Sequence, residues 1–233
     1  MKMADESVFE KRHVEPNAMG DVEGLLEHFN LPPAVIKYVR KNKRTLQIVL
    51  ASVLILAVSL ALYDSYREKR LEKASSALSQ ALSKAGDDKE KALQGVMAEF
   101  PGTVSARWAN VELAHLEMGK AQFKEAADRY AAIRDDLKES DPLYALTVFG
   151  FAQALEARLE YDAASAAYQQ LKDIKGYQII GYIGMARIQE AQGKSDKALE
   201  ILNEALSALS DKPQEDPDKR AIEDRIARLK VKL

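Results

Sequence analysis

AADRYAAI, residues 126–133, places a small residue four positions ahead of a bulky ring, Ala126 before Tyr130. The arrangement recurs in ALQGVMAEF from Ala92, in ASAAYQQL from Ala164 and in ALEILNEA from Ala198, with Val96, Tyr168 and Leu202 as the larger members. The alanines lie 34, 38 and 34 residues apart. The last three each have another alanine 12 positions upstream, Ala114, Ala152 and Ala186. Only a small side chain fits where two antiparallel helices cross closely. Ala114 with Ala126, Ala152 with Ala164, and Ala186 with Ala198 are therefore the expected crossing pairs. Phe123, Tyr130, Tyr161, Tyr168 and Leu202 are expected to fill the layers between them.

A period of 34 residues built as helix, short turn, helix is the signature of tetratricopeptide repeats. The turns agree with it. Gly119 to Gln122, Arg158 to Glu160 and Gly193 to Ser195 fall inside hairpins, and Pro101-Gly102, Asp141-Pro142 and Lys175-Gly176 fall between them. The first repeat fits least well, because the position 12 upstream of Ala92 is Gln80. Beyond Ala208, the polar stretch SDKPQEDPDK reads as a linker. The segment after it puts Ile222, Ile226, Leu229 and Leu233 on one helical face, as a cap over the last exposed apolar layer would.

Upstream of the repeats, QIVLASVLILAVSLALYDSY at 47–66 stands between KNKR and REKR. Thr45 to Tyr63 is a run of 19 residues without a charge. As a helix it would span roughly 28 Å, close to the thickness of a bilayer's hydrocarbon core. Tyr38, Tyr63 and Tyr66 flank it, at the level where amphipathic rings favour headgroups. A buried soluble helix would keep a polar stripe, and a cleaved signal would start nearer the N-terminus with a shorter apolar core. A retained single-span anchor is the expected reading. Five basic residues precede it (Lys37, Arg40, Lys41, Lys43, Arg44) and four follow (Arg67, Lys69, Arg70, Lys73). The bias slightly favours an inside N-terminus. Pro32 and Pro33 suit the first turn of a helix, and no Gly or Pro follows until Gly86, so one helix is expected from about 33 to 85.

Composition narrows the class of function. The 233 residues carry a net charge of −2, which indicates no nucleic-acid partner. Cysteine is absent, which excludes disulfides and thiol catalysis and fits an envelope compartment. Residues 1 to 30 hold seven acids against three bases, an acidic tail with a short helix expected over Val22 to Phe29. The expected division is a flexible acidic tail over 1–32, a basic juxtamembrane segment over 33–44 and a transmembrane helix over 45–63. Repeats follow over 64–210, then a linker and C-terminal helix over 211–233. The fold class is all-α.

In repeats of this kind the first helix of each hairpin lines a concave face. The candidate binding residues are Trp108, Val111, His115 and Met118 in the second repeat, and Leu146, Phe149, Gln153 and Glu156 in the third. In the fourth they are Ile180, Ile183, Arg187 and Glu190. Such a groove suits extended or helical apolar peptides, with Trp108 as the expected hot spot. Basic residues that would clamp a terminal carboxylate do not recur in it. No catalytic, cofactor or metal site is expected, since His13, His28 and His115 lie in separate segments and no nucleophile, phosphate-loop or metal motif occurs.

The single span after a hydrophilic tail, the alanine-rich repeats and LKDIKGYQIIGYIGMARIQEAQGKSDKALEIL at 171–202 together resemble the bacterial ancillary SecYEG translocon subunit family (YfgM-type). The likeness runs from about residue 40 to 210. It implies a cytoplasmic N-terminus and a periplasmic repeat domain in the bacterial inner membrane. It also implies contact with Sec translocon subunits, a membrane-anchored prolyl isomerase chaperone and secretory clients. The chain departs from that family in a longer N-terminal tail and a separate C-terminal helix from Pro217. Beside a non-enzymatic adaptor, two other readings stay open: a transmembrane regulator that uses the repeats as a sensor, and an envelope scaffold helped by the Ala57-xxx-Ala61 pair in the span.

Overall fold

The structure is a computed structural model that describes residues 32–231 apart from 212, 214 and 215. The acidic tail, with the helix expected at Val22 to Phe29, His13 and His28, lies outside the described residues, as does Leu233. Among the described residues all regular structure is helical. The described residues hold ten helices: α1 (Pro33–Lys41), α2 (Lys43–Leu82), α3 (Gly86–Glu99), α4 (Val104–Gly119), α5 (Phe123–Asp135), α6 (Tyr144–Ala157), α7 (Tyr161–Lys172), α8 (Gln178–Ala191), α9 (Ser195–Ala208) and α10 (Pro217–Lys230). The chain divides into two compact units between Tyr66 and Arg67.

The first unit holds α1 and the front of α2. The helix expected to run unbroken from about 33 to 85 is interrupted at Asn42 and ends at Leu82. Asn42 leaves the helical region (φ −111°, ψ 24°), and its N–H donates to the Tyr38 carbonyl. Its side-chain amide donates to the same carbonyl at 3.3 Å. Asparagine competes with the backbone in this way, so it ends helices without Gly or Pro. An 18-residue window in α2 has a mean hydropathy of 2.4, and none of it is buried by the protein.

The second unit stacks helical hairpins. Each helix from α3 to α10 packs on the next, and α4 also touches α6. All six alanines of the three expected crossing pairs are fully buried. Each pair sits in one core: Ala114 and Ala126 with Tyr130, Ala152 and Ala164 with Tyr168, Ala186 and Ala198 with Leu202. In the first hairpin, Gln80 is exposed and its amide donates to Ser76. Ala81 and Ala74 supply the small contacts instead, against Leu93, Val96 and Phe100.

Two glycines explain how successive hairpins close up. A Cβ at Gly150 would stand 2.4 Å from Cζ of Tyr130, and one at Gly184 would stand 2.3 Å from Cδ1 of Tyr168. The ring from the second helix of one hairpin thus lies flat on bare backbone in the first helix of the next.

The turns within the last three hairpins share one conformation. Ala121 (φ 58°), Leu159 (φ 63°) and Gly193 (φ 73°) are left-handed. The N–H groups that follow them reach back five residues, Gln122 to Glu117, Glu160 to Leu155 and Lys194 to Gln189. This is the Schellman closure, which satisfies the last carbonyls of a helix. At the first of these turns Ala121 takes the positive φ, while Gly119 ends α4.

Helix α10 closes the stack. Asp216 caps it, accepting from the N–H groups of Asp218 and Lys219, and Pro217 occupies its first position. Ile222, Ile226 and Leu229 bury against Leu202, Ala205 and Leu209.

Candidate protein-binding face

The first helices α4, α6 and α8 present their C-terminal halves to a shared cavity of about 490 Å³. Met118, Gln153, Glu156 and Arg187 line it, together with Ala157, Leu159, Tyr161 and Ala191. Four sequence candidates from three repeats therefore meet in one place. The hairpin period accounts for this, because it brings equivalent positions of successive first helices side by side.

A guanidinium holds the centre of this face. Arg187 donates from Nε to Glu156 Oε1 at 2.5 Å, from Nη2 to Glu156 Oε2 at 2.6 Å, and from Nη2 to the Tyr168 hydroxyl at 2.6 Å. Tyr168 donates in turn to Glu156 Oε2 at 2.8 Å. The paired fork joins α8 to α6 with fixed geometry, as bidentate arginine–carboxylate contacts do. Arginine–glutamate pairs of other geometry stand on both sides of it. Arg129 grips Glu117 with Nε at 2.9 Å and donates to Asn110. Arg225 of α10 donates to Glu190 of α8 at 2.9 Å. The cap helix thus contacts α8 as α8 contacts α6, and it stands where the first helix of another repeat would pack.

Burial alone would raise the Glu156 carboxyl, but hydrogen bonds from Arg187 and Tyr168 outweigh it and hold the group below its usual range. A lowered folded pKa means that stability from this group is complete above the unfolded value of about 4.3 and is lost as pH falls through the folded value. Glu156→Gln should therefore show a shallower stability loss than the parent between about pH 5 and pH 3. Chemical unfolding at matched pH values tests this, and identical slopes would remove the carboxylate's role. Burial raises the Tyr130 and Tyr168 hydroxyls well above the ordinary phenol range, so both rings stay neutral.

The other candidates fall elsewhere. Val111 is a correction: it has no exposed surface and sits in the core with Ala114, Ala126 and Tyr130, so no partner can reach it. The reason is angular. Val111 lies three residues before Ala114, on the same helical side as that crossing residue. Leu146, Phe149 and Ile183 are half-buried, and Phe149 meets the Tyr168 ring edge-on with centroids 6.5 Å apart. His115 is exposed and sets its ring edge against Tyr130. Trp108, 38% exposed, stands ten residues before Met118, about 15 Å up α4 from the cavity. Glu190 is engaged by Arg225. The face is therefore apolar toward the start of its helices and ion-paired toward their ends.

Sequence reasoning passed over Glu117 with its arginine, although a signal was present. Glu117, Glu156 and Glu190 follow the crossing alanine of their helices by three or four residues. Leu159 at the cavity rim left no signal, because leucine is disfavoured at positive φ. Among the described residues no group of three or more His, Cys, Asp or Glu side chains could hold a metal.

The hairpin geometry agrees with a family comparison. The profile described as "Tetratricopeptide repeat-like domain" matches residues 37–176. The chain belongs to the tetratricopeptide repeat-like domain family. Solved structures carry the same fold. One is a Podosopora anserina protein described as a kinesin light chain with nearly identical TPR-like repeats, 17% identical, with a TM-score of 0.52 over 71% of this chain and 85% of that one. A single-residue variant of it superposes equally well, at 19% identity. Comparison with curated proteins gives no significant match. Tetratricopeptide repeat-like folds are typically protein-interaction scaffolds rather than catalysts, and the repeats imply protein partners in general. Its matched region includes the apolar stretch of α2 and stops before α8, while the repeat pattern continues through α9.

Proposed function

We propose that the chain is an inner-membrane-anchored adaptor whose repeats bind protein partners on the periplasmic side, at the Sec translocon. The observation that carries the anchor is the uncovered apolar window of α2. Leaving its Leu, Ile and Val side chains in water would cost on the order of 20 kcal/mol. A helix satisfies its own backbone groups and can therefore stand in hydrocarbon. The family match begins at residue 37, which supports treating the apolar helix and the repeats as one functional piece. The partners implied by the family resemblance are translocon subunits, a membrane-anchored prolyl isomerase and emerging secretory clients. Trp108, Ile180 and the half-buried Phe149 and Ile183 offer apolar contact to such segments, and the rim of the 490 Å³ cavity offers hydrogen bonds.

Topology and capture test this reading together. The chain has no cysteine, so Ser140→Cys or Asp211→Cys gives a clean probe. Labelling by an impermeant reagent with only the outer membrane permeabilised is the expected result. Protection until the inner membrane is breached would reverse the topology. A photo-crosslinker at Trp108 or Phe149 should capture translocon subunits or secretory chains, and capture of neither would end the translocon assignment.

A further inference from the structure

The short helix α1 has two sharply different sides. At 100° per residue, Val35, Tyr38 and Val39 share one side, and Lys37 and Lys41, one turn apart, share another. The apolar side is not packed away: Val35 is 42% exposed and Tyr38 is 63% exposed. Lys37 and Lys41 are exposed as well. Asn42 separates this helix from α2, so α1 is a distinct element one residue from the apolar window's helix. A soluble helix would bury an apolar stripe against protein, whereas here Val35 and Tyr38 stay exposed and Val39 is only partly covered. A basic, amphipathic helix with aromatic and β-branched residues on its apolar side suits the boundary between headgroups and acyl chains.

We propose that α1 lies in the membrane interface, with Val35, Tyr38 and Val39 in the upper acyl region and Lys37 and Lys41 on anionic phospholipid headgroups. The proposal rests on α2 being a span, which holds α1 at the surface of the same bilayer. Charge complementarity selects the occupant. Lys37, Arg40 and Lys41, with Lys43 at the start of α2, put four basic residues within seven positions, and no acidic residue lies between Pro33 and Tyr63 to offset them. Each basic residue near an anionic leaflet adds attraction that decays within a Debye length.

The test uses the full chain reconstituted in vesicles of phosphatidylcholine, with or without phosphatidylglycerol. Single cysteines (Val35→Cys, Lys37→Cys, Tyr38→Cys, Lys41→Cys) carry an environment-sensitive fluorophore, and spin-labelled lipids quench it. Quenching by a shallow spin label should be about twofold stronger at 35 and 38 than at 37 and 41 when phosphatidylglycerol is present. That contrast should fade when salt shortens the Debye length to about 3 Å, and when Lys37→Glu and Lys41→Glu are combined with Val35→Cys or Tyr38→Cys. Equal quenching at all four positions, or an unchanged contrast in phosphatidylcholine alone, would overturn the proposal. Leu54→Cys separates this from the anchor. A deep spin label should quench it, and if it does while α1 shows no pattern, only the interfacial helix fails. If Leu54 escapes quenching, the span itself fails.

Discussion

Gly184→Val is expected to destabilise the repeat stack by about 3 kcal/mol, seen as a fall in melting temperature of roughly 6 to 12 °C. The cause is the Tyr168 ring, which fills the space that a side chain at 184 would need. Even a Cβ would stand 2.3 Å from the ring's Cδ1 and 2.5 Å from Cγ. The ring cannot swing away cheaply, because its hydroxyl donates to Glu156 and accepts from Arg187. Gly150→Val should behave alike against Tyr130. Gly184→Ala should cost less than the valine, since alanine recovers up to about 1 kcal/mol of helix propensity. Gly95→Ala is the control. Nothing lies within 4 Å of a Cβ there, so that change should stabilise α3 by about 0.5 to 1 kcal/mol. Scanning calorimetry of the detergent-solubilised chain measures all four. A neutral Gly184→Val would mean that successive hairpins do not close on bare backbone.

Ile222→Asp is expected to release the cap. Ile222 is fully buried against Leu202 and its neighbours. A carboxylate there must be desolvated or the helix must lift away, and lifting also uncovers Ile226 and Leu229. The effect should be local. In a stack where each helix meets its neighbours, loss of an end frays that end first. Hydrogen exchange should rise by about 100-fold in α8 and α9, equivalent to about 3 kcal/mol of local opening, while α4 and α5 keep their protection. Equal loss through all the hairpins would show that the stack opens as one cooperative block, and no loss would show that α10 is not its cap.

Much of this architecture was legible in residue spacing. The 34-residue recurrence named the crossing alanines, and every one of them is buried where the period put it. The four apolar positions after Pro217 marked a cap. Val111 shows where spacing misled. It has the apolar character of a groove residue, but helical rotation carries it to the side of Ala114. Asn42 shows a second limit, because a helix broken by asparagine has no proline or glycine to announce it. At Ala121 and Leu159, the left-handed residue of each turn is an ordinary one, held there by the return hydrogen bonds of the closing helix.

What the amino-acid sequence determined alone was periodic. It set the helices, their pairing into hairpins, and an apolar run long enough to cross a bilayer, since each depends on residue type at a fixed step along the chain. Tertiary structure decided which residues reach a partner and which pair with one another. Glu156 and Arg187 are 31 positions apart, and Tyr130 and Gly150 are 20 apart. These contacts exist because neighbouring hairpins stack with one particular rotation and separation. That rotation follows from the summed packing of many side chains across two helices, so no single spacing along the chain encodes it.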